Sequence, residues 1–210
     1  MSSIEFSKQQ KVKLLNDGYA SLAPEEIIDR VLVQAKRPII STKFGPYAEF
    51  FIQMVTRKIP SIPVLWVDTG FLTQAFIDNA TRLIEKYHLN IHIQRPKNEV
   101  INKYLKDGIP ICEARFSTYQ QEVKVAPFHA GLTALKPDYW FTGIQKHQTS
   151  YRSNLNIFSN YQDDIIRVAP LFNFKNIHIE EHTEFTQKHI KTFLDTTKKS
   201  YHSECGIHFS

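Results

Sequence analysis

The stretch Arg37–Lys58, RPIISTKFGPYAEFFIQMVTRK, contains the structural unit around which the predicted fold is built. Its first part, Arg37–Ser41, is a short apolar run that predicts a buried strand. A polar loop, Thr42–Gly45, follows. From Pro46 to Lys58 the apolar residues recur at helical spacing, with a proline suited to the first turn of a helix. The stretch therefore predicts a strand, a loop and a helix in direct succession.

The same alternation continues along the chain. Further strands are predicted at Val64–Asp68, Leu89–Gln94, Asp138–Gly143 and Ile165–Leu171. Helical patterns cover residues 7–16, 21–35, 73–88, 98–106, 115–135 and 181–198. Strands separated by helices favour a parallel sheet that is covered on both faces. The sequence thus predicts an α/β fold with a mostly parallel sheet and helices on both of its faces.

Three polar loops follow predicted strands: Ser41–Gly45, Asp68–Gly70 and Gly143–Arg152. Ligands of such sheets bind beyond the carboxyl ends of the strands, so we expect these loops along one rim. Hydroxyls, backbone N–H groups and a lysine in the first loop suit an anion. Lys146 and Arg152 give the third loop a cationic character suited to phosphate or sulfate. By itself, the first loop is equally consistent with an ordinary strand-to-helix turn, and the second is better explained as a turn in which Asp68 caps the following helix. The third is equally consistent with a solvated surface loop.

The last ten residues, YHSECGIHFS, contain Cys205, which is one of only two cysteines. A thiolate is a strong nucleophile, and His208 lies close to it in sequence. No apolar run fixes this segment, so we expect a domain over residues 1–200 and a mobile catalytic tail over residues 201–210. Cys112 stands between apolar neighbours and is expected to be buried and inert.

Charge and composition exclude several classes of protein. The net charge is +5, and the basic residues are scattered, which suits an anionic substrate and not a nucleic acid. No apolar run reaches membrane-spanning length, and the first residues have no secretory signal. Two cysteines are too few for a disulfide framework or a four-thiolate cluster, and the histidines form no metal-binding pattern. These features predict a cytoplasmic protein without a bound metal.

Taken together, four motifs in order resemble the phosphoadenylyl-sulfate (PAPS) reductase family. They are the loop Ser41-Thr-Lys-Phe-Gly45, the segment Val67-Asp-Thr-Gly-Phe-Leu72, the run Trp140-Phe-Thr-Gly-Ile-Gln-Lys-His-Gln-Thr-Ser-Tyr-Arg152, and the terminal Glu204-Cys-Gly-Ile-His208. The chain departs from the family pattern at Lys43, at Gln145 and at Thr73–Phe76. It also lacks the family's HPLxxxGYxSxGD-like segment before the tail.

The resemblance implies an adenine-nucleotide α-hydrolase-like fold and a two-stage reaction. Cys205, supported by His208, attacks the sulfur of PAPS, and thioredoxin or glutaredoxin then releases sulfite. The substrate is assigned to Ser41, Thr42, Lys43, Phe44, Gly45, Asp68, Thr69, Gly70, Lys146, Gln148 and Arg152. A homodimer is expected. The related adenylyl-sulfate (APS) reductases bind an iron–sulfur cluster through paired cysteines, which are missing here, so no cluster is expected.

Three alternatives stay open. The first is reduction of APS without a cluster. The second is an adenylating or sulfur-handling enzyme of the ATP-pyrophosphatase type, although the glycine-rich loop of that class is absent. The third is a nucleotide-binding module that has lost its activity, against which the intact Glu204–His208 motif argues.

Overall fold

A computed structural model describes residues 3–162, 164–175, 196–198 and 207. Six strands form one sheet: β1 (Pro38–Ser41), β2 (Pro63–Val67), β3 (Asn90–Gln94), β4 (Tyr139–Thr142), β5 (Phe158–Tyr161) and β6 (Ile165–Val168). Their order is β3-β2-β1-β4-β6-β5. All neighbours are parallel except β5, which runs antiparallel to β6 at one edge. The predicted mostly parallel α/β sheet is confirmed.

Helices precede, connect and cover these strands. They are α1 (Ser3–Tyr19), α2 (Pro24–Gln34), α3 (Ala48–Thr56), α4 (Gln74–Tyr87), α5 (Asn98–Asp107), α6 (Glu113–Gln120), a π-helical turn (Gln121–Val125), α7 (Ala126–Leu135) and α8 (Ser150–Ser153). Pro24 begins α2, with Glu25 and Glu26 in its first turn, within the helical pattern predicted over residues 21–35.

The sheet has an apolar cluster on each face because successive residues of a strand point to opposite sides. Ile40, Trp66 and Phe141 belong to the larger cluster, together with side chains of α2, α3 and α4. The second cluster lies beneath α7, and we call it the α7-side cluster. It consists of Ile39, Leu65, Val67, Phe128, Leu132, Trp140, Tyr161 and Ile165.

Close packing of α7 on the sheet depends on Gly131. A Cβ atom at this position would lie 2.4 Å from Leu65 Cδ1 and 3.0 Å from Gln94 Cγ, so the helix approaches β2 and β3 too closely for a side chain there. This contact holds α7, and the π-helical turn before it, against the sheet.

The structure differs from the sequence prediction in several places. The edge strand β5 is absent from the prediction because Phe158-Ser-Asn-Tyr161 has polar residues at its two central positions. Helix α3 begins at Ala48, two residues later than predicted. The preceding residues form a turn in which Ala48 N–H donates to the carbonyl of Gly45. The loop 143–155 contains the short helix α8. The predicted helix 181–198 lies outside the described residues except for 196–198, and it stays a prediction.

Glu49 of α3 joins α3 to α4 through three donors. Its carboxylate accepts hydrogen bonds from Arg82 Nη2 at 2.7 Å, Lys86 Nζ at 2.7 Å and Tyr87 Oη at 3.0 Å. Burial raises the pKa of Glu49, but these hydrogen bonds outweigh burial and lower it from 4.5 to about 2. A carboxyl group whose pKa is lower in the folded state stabilises the fold above the unfolded pKa. That contribution is lost as the pH falls from about 4.5 toward 2.

We therefore predict that Glu49→Gln lowers the free energy of unfolding at pH 7 by about 2 kcal/mol. This is less than the full pKa shift implies, because water screens the partly exposed Arg82 and Lys86. The variant should also lose stability less steeply than the unsubstituted protein between pH 4.5 and 2. Urea unfolding at several pH values measures both effects. Asp29→Asn is the matched control, since the exposed Asp29–Lys58 pair should contribute under about 0.5 kcal/mol. Parallel pH profiles for Glu49→Gln and the unsubstituted protein would contradict the prediction.

Candidate functional site

The three polar loops follow neighbouring strands, as predicted. β1 lies between β2 and β4, and Ser41 is in register with Leu65 on one side and with Thr142 on the other. The chain moves outward from β1 to β2 and β3 and then returns to add β4 on the other side of β1. The carboxyl ends of β1 and β4 therefore form the topological switch point, where open α/β sheets bind their ligands.

Ser41 and Thr42 use their hydroxyl groups to hold the first loop. Trp140 Nε1 of β4 donates to Ser41 Oγ at 2.7 Å, which ties the first loop to the strand that precedes the third loop. Thr42 N–H donates to the carbonyl of Leu65 at 3.2 Å, and Thr42 Oγ1 accepts from Phe44 N–H at 3.0 Å. Each hydroxyl still has its own proton to donate, so both can also contact an anion.

Phe44 is assigned to the substrate by the resemblance, and its side chain lies in the core. The ring is fully buried, 0% exposed, and meets Trp66 edge-on with centroids 5.2 Å apart. Its backbone is left-handed, with φ at 54°. Phe44 thus anchors the loop in the core, and only its backbone can face a ligand. Lys43 turns its Nζ over the ring of Phe76, 5.6 Å from the centroid.

The second loop is an Asx turn. Gly70 N–H donates to Asp68 Oδ1 at 3.1 Å, and the φ of Gly70 is 78°. This positive φ favours glycine, and a Cβ on Gly70 would in addition lie 3.3 Å from Ile101 Cδ1, which would have to shift slightly. Buried Thr69 accepts from Phe71 N–H at 3.2 Å. Asp68 Oδ2 accepts from Arg95 Nε at 2.8 Å, so this carboxylate at the rim already has a cationic partner.

The third loop brings Gln148 and Arg152 together. Thr149 Oγ1 accepts from Arg152 N–H at 3.1 Å and so caps α8. The side chain of Arg152 is largely buried, with the residue 8% exposed, and its Nη1 donates to Gln148 Oε1. Gln148 Nε2 donates in turn to Gln145 Oε1 at 2.9 Å. A guanidinium held in this way is preoriented for an anion.

Gln145 and Lys146 attach this loop to the segment after β6. Gln145, which is 1% exposed, donates from Nε2 to the carbonyl of Phe174 at 3.1 Å. Lys146 N–H donates to the carbonyl of Phe172 at 2.9 Å, and the residue itself is exposed. Gln145, where the family pattern has arginine, is therefore a structural anchor of the loop.

Three residues at the rim are missing from the sequence prediction: Lys124, Thr196 and Thr197. Lys124 lies in the π-helical turn, is buried, and donates from Nζ to Thr197 Oγ1 at 2.8 Å. Thr196 Oγ1 donates to the carbonyl of Phe71 at 2.9 Å. Gln120 Nε2 donates to the carbonyl of Thr197 at 2.8 Å. The sequence contains only a weak signal for Lys124. It stands between Val123 and Val125, whose apolar side chains indicate that this part of the helix is buried.

The chain after Thr197 leads to the terminal motif. Cys205 and His208 lie outside the described residues, so their predicted roles are untested. Ile207, which lies between Gly206 and His208 in the sequence, is described, and its side chain packs against the α7-side cluster.

Cys112 contradicts its prediction. The residue is exposed, and not buried. Ile109 and Ile111, the apolar neighbours on which the prediction depended, are themselves 37% and 92% exposed. They lie in the connection between α5 and α6, where no helix or strand of the described residues covers them.

Two further observations apply only to the described part of the chain. It contains no group of three or more His, Cys, Asp or Glu residues placed to hold a metal ion. Within the same residues, no helix is both long enough and apolar enough to cross a membrane.

Comparison with known proteins agrees with the motifs. The sequence model of the phosphoadenosine phosphosulfate reductase domain matches residues 37–203. The chain belongs to this family. Phosphoadenosine 5′-phosphosulfate reductase from Yersinia pseudotuberculosis is 31% identical over 153 residues, which cover 69% of this chain and 59% of the relative. The reductase of the same name from Vibrio parahaemolyticus is 28% identical over 178 residues, which cover 80% of this chain and 64% of the relative. The aligned part of the chain thus spans about three fifths of these relatives.

Solved structures confirm the predicted fold class. Phosphoadenylyl-sulfate reductase from Candida auris, solved as a phosphate complex, superposes with a TM-score of 0.70 at 22% identity. The match covers 83% of this chain and 84% of the Candida auris chain. Candida glabrata FMN adenylyltransferase, solved with FMN and an ATP analogue, gives a TM-score of 0.55 at 12% identity and covers 85% of this chain and 56% of its own. The chain therefore has the adenine-nucleotide α-hydrolase-like fold.

Proposed function

We propose that this protein reduces PAPS to sulfite and adenosine 3′,5′-bisphosphate through an S-sulfonated Cys205. Family membership supports the class of reaction, which is the reduction of a sulfonucleotide by an oxidoreductase. The choice of PAPS over APS, and of thioredoxin or glutaredoxin as reductant, is part of the proposal.

The observation that carries the proposal is the packing of Ile207, the described residue of the terminal motif. Ile207 packs against the α7-side cluster, which contains Trp140, and Trp140 Nε1 donates to Ser41 Oγ at 2.7 Å. Cys205 precedes Ile207 by two residues, and two trans peptide units span at most about 7 Å. This packing supports the proposal, because Ile207 of the terminal motif contacts the same cluster as Trp140, whose side chain is bonded to the first polar loop.

In the first step, the thiolate of Cys205 attacks the sulfur of the sulfate group. An S–S bond forms and the bond from sulfur to the phosphate oxygen breaks. Adenosine 3′,5′-bisphosphate leaves with the electron pair, and Cys205 carries the SO₃⁻ group. A covalent intermediate of this kind divides one difficult reduction into two easier displacements.

The loops at the switch point bind the nucleotide in this proposal. Ser41, Thr42, Lys43 and the backbone of Phe44 and Gly45 contact the anionic groups of the bound nucleotide from the first loop, where hydroxyl and N–H donors are already in place.

The second and third loops complete the proposed site. Asp68, Thr69 and Gly70 adjoin the nucleoside. Lys146, Gln148 and Arg152 contact the sulfate and phosphate oxygens from the other side of β1.

In the second step, a dithiol protein regenerates the enzyme. One thiolate of thioredoxin or glutaredoxin attacks Cys205 Sγ, which forms a mixed disulfide and releases sulfite. The second redoxin thiol then frees Cys205, so the redoxin dithiol supplies both electrons. His208 supports the thiolate of Cys205. We further propose a homodimer without an iron–sulfur cluster, located in the cytoplasm.

Peptide mass spectrometry tests the first step. We predict that the reduced protein, incubated with PAPS and no redoxin, gains one SO₃ group on the peptide that contains Cys205. Exposed Cys112 is an internal control, because general thiol chemistry would modify it as well. Addition of thioredoxin or glutaredoxin should then release the group as sulfite.

The same assay separates the alternatives. An adduct formed from APS and not from PAPS changes the substrate and keeps the mechanism. Equal modification of Cys112 and Cys205, or no adduct with either nucleotide, rejects the proposal.

A further inference from the structure

We infer that Asn79 is a positioning residue, which holds the first loop, Ser41–Gly45, in the conformation that binds the nucleotide. The inference rests on the proposed function. Asn79 lies on α4, outside every motif of the resemblance.

Asn79 bonds directly to the loop backbone. Its Nδ2 donates to the carbonyl of Phe44 at 2.9 Å and to the carbonyl of Gly45 at 3.3 Å, and the residue is 5% exposed. A trans peptide holds its C=O and N–H on opposite sides. Because the Phe44 carbonyl points to α4, the N–H of Gly45 points away from α4. Among the described residues this N–H donates to none, which leaves it for a bound anion.

The loop needs such a restraint because its backbone conformation is unfavourable. Phe44 has a φ of 54°, a left-handed conformation that side-chain-bearing residues rarely adopt. The conformation persists only when surrounding contacts determine it. The buried ring of Phe44 and the bond from its N–H to Thr42 Oγ1 supply two such contacts, and the amide of Asn79 supplies a third.

The orientation of the Asn79 amide is itself determined. Arg82 Nη2 donates to Asn79 Oδ1 at 2.9 Å, so the oxygen faces Arg82 and the nitrogen faces the loop. Glu49 Oε2 in turn accepts from Arg82 Nη2 at 2.7 Å. A polar chain therefore runs from Glu49 through Arg82 and Asn79 to the carbonyls of the first loop.

Asn79→Asp tests this role with little change of volume. The variant keeps an oxygen for Arg82 but replaces the donor with a carboxylate oxygen, which repels the two loop carbonyls. We expect the dissociation constant of adenosine 3′,5′-bisphosphate, measured by titration calorimetry, to rise about tenfold. With PAPS, KM should rise similarly while the rate of S-sulfonation at saturation stays within about threefold, because Asn79 acts on a binding loop. Asp78→Asn, on the exposed side of the same helix, is the matched control and should change neither value.

Tryptophan emission reports on the loop directly. The chain has two tryptophans, and both contact the loop: Trp66 meets the ring of Phe44, and Trp140 donates to Ser41. Asn79→Asp should shift the emission of the folded protein without ligand, and Asp78→Asn should not.

The outcomes are distinguishable. Failure of the unsubstituted protein to bind the nucleotide rejects the proposed function and this inference with it. Normal binding by both the unsubstituted protein and folded Asn79→Asp rejects the inference alone. If Asn79→Asp does not fold, Asn79→Ser replaces it, since its shorter side chain cannot bond to both the loop and Arg82. Unchanged affinity in that variant likewise rejects the inference.

Discussion

Replacement of Cys205 by serine is expected to abolish sulfite release, with turnover at least about a thousandfold lower. A serine hydroxyl stays protonated at neutral pH and is a far weaker nucleophile than a thiolate, so it does not displace the phosphate from sulfur. The nucleotide should still bind, because the proposed contacts come from the three loops and not from the tail. Sulfite production measures the first effect, and calorimetry with adenosine 3′,5′-bisphosphate measures the second.

Cys112→Ser is the matched control for this experiment. It removes the other thiol of the chain at an exposed position between α5 and α6, and full turnover is expected. If turnover survives in Cys205→Ser or disappears in Cys112→Ser, Cys205 is not the nucleophile. Loss of nucleotide binding in Cys205→Ser would show that the tail contributes to the binding site as well as to the chemistry.

The strands that carry the three loops could be predicted because local sequence determines them. β1, β2 and β4 are short apolar runs whose side chains are buried on both faces, so no other pattern competes. The polar residues after each run are then placed on one rim by the parallel order alone. For this reason the three loops, which contain Ser41, Asp68 and Arg152, could be predicted to begin at the same edge of the sheet.

The edge strand β5 could not be predicted in this way, because a distant residue completes its hydrogen bonding. Asn16 of α1 donates from Nδ2 to the carbonyl of Phe158 at 2.9 Å, and its Oδ1 accepts from Phe158 N–H at 2.9 Å. The side chain thus pairs the outer edge of β5 as a neighbouring strand would. An asparagine on a polar helix gives no indication of such a role.

The residues that support the candidate site were missed for a similar reason. Asn79 and Lys124 are polar residues on helices, where a solvent-exposed position is the usual expectation. Their partners, Phe44 and Thr197, are 35 and 73 residues away. The π-helical turn that contains Lys124 also has no sequence signature distinct from an α-helix. Motifs located the loops, whereas the contacts that fix their shape required the tertiary structure.

The same reasoning explains the error at Cys112. Apolar neighbours in a strand or a helix indicate burial only when an element packs on them. Ile111 is almost fully exposed, so the local composition was misleading.

Arg152→Ala is expected to raise the dissociation constant of the nucleotide by about a hundredfold, since a charge-assisted contact contributes roughly 2–3 kcal/mol. The guanidinium is largely buried and is preoriented by Gln148. Binding of the nucleotide therefore costs little further side-chain entropy at Arg152. Arg152→Lys should recover only part of the affinity, because an ammonium group cannot bind two anionic oxygens in the fork geometry. Calorimetry with adenosine 3′,5′-bisphosphate measures both variants.

Ser153→Ala is the control for the shape of α8. Its hydroxyl is exposed and donates only to the carbonyl of Ser150 at 2.7 Å, so the affinity should not change. Charge and geometry at Arg152 can then be separated: equal losses in the alanine and lysine variants mean that the fork geometry determines binding, and a smaller loss with lysine means that charge contributes separately. A folded Arg152→Ala protein with unchanged affinity would remove Arg152 from the site, and the buried guanidinium would then serve only to hold Gln148 and the third loop.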